Sequence, residues 1–99
     1  MTNYVLAFRG QPDRTPAEGE DEAWGAWFGS LGSAVVDFGH RVAHAQTLTP
    51  KGESAPDSAV LTGYVVITAE DLEGATKLAS GCPGLNSGVS VEIAETVDA

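Results

Sequence analysis

Apolar residues fall in short blocks along this 99-residue chain, and their spacing switches between that of strands and that of helices. Tyr4-Val5-Leu6-Ala7-Phe8 is a continuous apolar run of β-favouring residues and predicts a first strand. Residues 9–19 hold Gly10, Pro12, Pro16 and Gly19 and read as a loop. From about 20 to 35, Trp24, Trp27, Phe28, Leu31 and Val35 recur at helical spacing and make one apolar stripe. The acids at its start (Glu18, Glu20, Asp21 and Glu22) suit the positive end of a helix dipole. Asp37-Phe38-Gly39 closes that helix, and residues 40–49 alternate as a second strand. Residues 50–58 are the most polar segment and read as a hairpin-like connection to a third strand over 59–68. Thr68-Ala69-Glu70-Asp71 resembles a capping box with Asp in place of Glu, opening a second helix over 69–80 with Leu72, Ala75 and Ala79 on one face. Gly81-Cys82-Pro83-Gly84 stops it, and Val89, Val91 and Ile93 alternate with polar and small residues in a fourth strand.

The order is βαββαβ, the split-βαβ unit of the ferredoxin-like α+β class, in one domain over residues 1–99. Right-handed crossovers place the first and third strands at the centre of an antiparallel four-stranded sheet, with both helices on one face. A sheet with one wet face alternates apolar and polar residues. The first strand does not alternate, and the third carries Tyr64 and Val66 opposite Val65 and Ile67. A second copy of the chain is the economical cover for that second face, so the expectation is a homodimer, two sheets packed into a dimeric α+β barrel. Gly25, Gly29 and Gly32 share a stripe on the first helix and suggest a close approach there.

Charge narrows the partners. Fourteen acids against five bases give a net charge of −9, and the bases are scattered, so neither nucleic acid nor an anionic membrane surface is expected as a partner. The N-terminal residues lack the basic and long apolar regions of a secretory signal, and no apolar run approaches the roughly 20 residues that span a bilayer. A cytoplasmic protein is the default reading. A single cysteine excludes an internal disulfide.

Candidate chemistry is sparse. Asp37 and His40 flank the expected helix–strand turn, and an Asp that orients a His can make it a general base; these two are the candidate catalytic pair. His40 and His44 lie about 13 Å apart along an extended strand, too far to chelate one ion, and no third ligand is evident, so no metal site is expected. Cys82, after a helix C-terminus, reads as a small buried apolar residue rather than a nucleophile. Trp24, Trp27, His44 and Tyr64 are the candidate walls of a ligand pocket. No phosphate-binding glycine motif follows the first strand, and no cofactor is expected.

Four segments carry a resemblance: Trp27-Phe28 to Val36-Asp37, Leu61-Thr62-Gly63-Tyr64-Val65-Val66-Ile67, Leu78-Ala79-Ser80-Gly81-Cys82-Pro83-Gly84-Leu85, and Gly88-Val89-Ser90-Val91-Glu92-Ile93. In order and spacing the chain resembles the YCII-related domain family. The resemblance implies a dimeric α+β barrel with a cleft between helices and sheet or near the dimer seam. Some members resemble dehydrochlorinases or lactone isomerases of aromatic degradation. Others are encoded near, or fused to, extracytoplasmic-function sigma factors. Members with a proposed catalytic pair use a His after the first strand and an Asp after the first helix. Asp37 matches the Asp, while no His lies between Phe8 and the first helix. The Asp-Gly-Pro-Phe motif of one subgroup is absent, the corresponding stretch reading Lys51-Gly52-Glu53-Ser54-Ala55-Pro56-Asp57. The leading expectation is a small-ligand-binding or accessory regulatory dimer. The alternatives are an enzyme acting on a small cyclic or aromatic metabolite by Asp/His acid–base chemistry, and a purely structural partner domain.

Overall fold

A computed structural model describes residues 1–11, 14–53 and 59–97. Pro12 of the expected first loop and residues 54–58 of the expected polar connection lie outside the described residues. The strands are β1 (Thr2–Gly10), β2 (Val35–Arg41), β3 (Leu48–Thr49), β4 (Gly52–Glu53), β5 (Val60–Ala69) and β6 (Ser90–Glu95), and the helices are α1 (Glu20–Leu31) and α2 (Leu72–Ala79). The main sheet runs β2-β5-β1-β6, antiparallel throughout, with the two most apolar strands at its centre. This is the expected ferredoxin-like α+β arrangement. β3 and β4 pair only with each other, away from the main sheet.

Alternation along β1 sorts the two faces. Tyr4, Leu6 and Phe8 are buried toward the helices, with Val65, Ile67 and Ala69 of β5 beside them. Val5, Ala7, Tyr64 and Val66 occupy the opposite face, half-buried. The helix-side core takes Trp27 and Leu31 from α1, Ala75 and Ala79 from α2, and Cys82 and Val89 from the segment that follows. The small alanines let α2 lie close on the sheet, and the Trp27 indole N–H donates to the Leu78 carbonyl at 3.1 Å, tying α1 to α2. Among the described residues no helix is long and apolar enough to cross a membrane.

Several element boundaries differ from the sequence reading. Helix α1 ends at Leu31, because Gly32 takes φ 54° and a single 3-10 turn over Gly32–Ala34 follows. Val35, expected on the helix stripe, opens β2, where its β-branched side chain suits the extended backbone. The second main strand is therefore Val35–Arg41 rather than 40–49. Helix α2 is capped by Asp71, whose Oδ1 accepts the Gly74 N–H at 2.7 Å. Thr68 is still in β5, and its hydroxyl donates to the Thr2 carbonyl. Leu72, expected on the buried face of α2, is exposed. Among the described residues of its own chain the glycine stripe has no close neighbour: a Cβ at Gly25, Gly29 or Gly32 would meet nothing within 4 Å.

Candidate functional site

A concavity lies between α1 and the β2–β5 edge of the sheet, with a volume of about 540 Å³. Its position follows from β2. Register shifts on both sides of Asp37 and a positive φ of 67° at Gly39 bend this edge strand away from a regular ladder. Only glycine fits at residue 39, since a Cβ there would collide with the Tyr64 carbonyl oxygen. The bend carries Phe38, His40 and Arg41 into the cleft wall. Phe38, at 67% exposure, is a large apolar side chain left open to solvent.

Aromatic rings form the floor. Phe8 and Trp24 meet edge-to-face with centroids 5.0 Å apart, Trp27 and Phe28 lie at 5.1 Å, and Phe38 extends the series outward at 6.2 Å from Phe28. Such ring pairs contribute about 0.5–1.5 kcal/mol each beyond area burial. Trp24, Phe28 and Phe38 line the cleft, whereas Trp27 is buried beneath them.

A buried ion pair closes one end. Glu20, 7% exposed, receives both terminal nitrogens of Arg14, Nη2 at 2.6 Å from Oε2 and Nη1 at 3.0 Å from Oε1. The Trp24 indole N–H donates to the same carboxylate at 3.0 Å, and the Ala17 backbone N–H at 3.1 Å. The hydrogen-bonded Arg14 guanidinium holds the Glu20 carboxyl far below the ordinary carboxylate range, outweighing the opposing effect of burial. In turn this pairing raises Arg14. Arg14 also reaches the Ser87 carbonyl and hydroxyl at 3.4 Å, so one network joins the loop before α1, the first turn of α1 and the segment before β6. Sequence reasoning took Glu20 for a dipole-complementing surface acid. The available signal was Trp24 one helical turn after it, with an arginine in the preceding loop.

The residues singled out from sequence are dispersed by the fold. His40 and Tyr64 border the cleft together, with ring centroids 6.1 Å apart, and Trp24 lines it as well. Asp37 is exposed and its Oδ1 accepts the Gly39 N–H at 2.8 Å, a turn bond that steadies the bend in β2; it makes no hydrogen bond to His40. His44 is exposed beyond the end of β2, outside the cleft wall. Trp27 is a core residue linking the helices. Cys82 is buried, and desolvation pushes its thiol pKa up, against nucleophilic use. Among the described residues no group of three or more His, Cys, Asp or Glu side chains is placed to hold a metal ion.

Two residue types missed by sequence reasoning complete the cleft. In the sequence Phe38 reads only as part of a helix-ending turn, and Arg41 as one of five scattered bases. Both come to the site through the bend at Gly39, which has no periodic signature. A comparison with the curated proteins finds no match. The model of the YCII-related domain matches residues 5–96, nearly the whole of the sheet and both helices, and the chain therefore belongs to the YCII-related domain family.

Proposed function

We propose that this chain is a small-ligand-binding protein whose site is the aromatic cleft between α1 and the β2–β5 edge, and that it works as a homodimer in an accessory or regulatory role. One observation carries the binding reading. An aromatic wall of Trp24, Phe28 and Phe38 faces a cavity of about 540 Å³, within the roughly 300–1,000 Å³ of small-molecule sites. Polar groups from the sheet edge, His40, Arg41 and Thr62, border the same space and would orient a ligand.

The homodimer reading rests on the face of the sheet away from the helices. Val5, Ala7, Leu61 and Val66 form its centre and are only half-covered by their own chain. The Arg9–Glu92 ion pair lies at the edge of that face, at 3.4 Å. Tyr64 belongs to that face and to the cleft rim, so a second copy packed there would border the site. Sedimentation at micromolar concentration should return the mass of two chains; a single-chain mass would contradict the dimer.

His40 in the cleft wall supports a second reading, an enzyme in which His40 exchanges a proton with a cyclic or aromatic substrate and Asp37 turns from Gly39 to orient it. The two readings part on turnover. A fragment library screened by saturation-transfer NMR should give aromatic hits that weaken in Phe38→Ala, a change at an exposed position that leaves the fold intact. Hits unaffected by Phe38→Ala would contradict the cleft as the site. Conversion of a bound compound, lost in His40→Gln, would favour the enzyme.

A further inference from the structure

We infer that the cleft takes a planar aromatic monoanion, its ring against Phe38 and Trp24 and its anionic group on the Arg41 guanidinium. This rests on the reading of the cleft as a ligand site and adds the chemical class.

Charge is the first ground. In a chain with 14 acids and 5 bases, cations readily find carboxylates. Arg9 meets Glu92, Arg14 is held by Glu20, and Lys77 lies 3.9 Å from Glu73. Lys51 sits on the turn between β3 and β4. Arg41 is exposed in the cleft wall and has no hydrogen bond or ion pair to a carboxylate among the described residues. A guanidinium presents two parallel N–H groups that match a carboxylate, and an aromatic ring beside it adds stacking.

The opposite wall limits how much negative charge fits. Glu20 is occupied by Arg14, but Asp21 lines the cleft from the first turn of α1 and is exposed. A ligand with a second anionic group would place it toward Asp21, and like charges repel. The site thus reads one anion at the β2 end and an uncharged ring along the aromatic wall. Phe38 is the complementary surface for that ring, because it is exposed yet backed by Phe28.

The test uses the full chain at neutral pH and three probes of one shape: 2-naphthoate, its neutral amide 2-naphthamide, and the dianion naphthalene-2,6-dicarboxylate. Calorimetry gives affinity, and ¹H–¹⁵N NMR gives location. The inference expects 2-naphthoate to shift cleft resonances and to bind about tenfold or more tighter than either companion, the worth of one charge-assisted pair. Arg41→Gln should abolish that preference, and Arg41→Lys should retain part of it. Equal binding of naphthamide in the cleft, or naphthoate affinity unchanged in Arg41→Gln, overturns the anion assignment while the cleft remains a ligand site. Shifts centred outside the cleft, or none from any of the three probes, overturn both.

Discussion

Replacing Glu20 by Gln keeps the shape of the side chain and removes the charge on which four donors converge. The amide can still accept from Trp24 or Ala17, but its NH₂ faces the Arg14 guanidinium, donor against donor. Removing one partner of a buried pair costs about 3–5 kcal/mol, most of it the charge left behind. The Arg14 side chain is 21% exposed and can turn partly to water, so the cost for Glu20→Gln falls to about 2–3 kcal/mol. Arg14→Ala is the harsher change, about 3–5 kcal/mol, because the stranded carboxylate is the more deeply buried member. At about 4–8 °C per kcal/mol for a domain of this size, Tm should fall by about 8–24 °C in Glu20→Gln. Urea unfolding followed by circular dichroism gives the free energies, and an unchanged m-value shows that the unfolded state is not the cause. The double variant should cost less than the two singles added, by about 1 kcal/mol or more, since each single already breaks the same pair. Singles within about 0.5 kcal/mol of the parent, typical of surface changes, would refute the claim that this network holds the α1 end of the cleft.

The same pair sets a pH dependence. Glu20 is held below its ordinary value of 4.5 in the fold, so below that pH the unfolded chain binds more protons and folding weakens. The contribution of Glu20 is complete above about pH 5 and is lost as pH falls below 4.5; the parent should therefore lose more stability than Glu20→Gln between about pH 5 and 3, as read by urea midpoints. Gly25→Ala and Gly29→Ala should each raise stability, by about 0.5–1 kcal/mol, because a Cβ there meets nothing and the helix gains propensity; lower melting temperatures would show a contact on that face. Gly39→Ala should destabilise by about 2 kcal/mol or more and distort the cleft, since the residue combines positive φ with a collision against Tyr64; a parent-like urea midpoint would contradict the bend at β2.

Strand order was legible because it rests on long-range patterning. The unbroken apolar runs of β1 and β5 mark central strands, and polar residues interleave the β6 pattern. The end of α1 was not legible, since Val35 continues the helical spacing and only the backbone turn at Gly32 diverts it into β2. The start of α2 was misplaced because Thr68 and Asp71 are both good capping residues, and strand pairing to Asn3 claims the first. The glycine stripe has no close neighbour among the described residues of its own chain, and cost in a helix signals a contact only where something lies opposite. For the site, Trp24, His40 and Tyr64 came from residue type alone. Phe38, Arg41 and the Arg14–Glu20 pair depend on a bend and a loop return, neither of which has a period to detect.

The central claim is that ligands enter the cleft between α1 and the β2–β5 edge, and the two indoles of the chain report on it separately. Trp24 lines the cleft with its N–H on Glu20, while Trp27 is buried with its N–H on the Leu78 carbonyl. Their ¹H–¹⁵N resonances can be assigned with Trp24→Phe. Titration of the full chain with a binding aromatic fragment should move the Trp24 indole signal to saturation and leave that of Trp27 nearly still. Saturable binding with the Trp24 signal unmoved would contradict the cleft as the site.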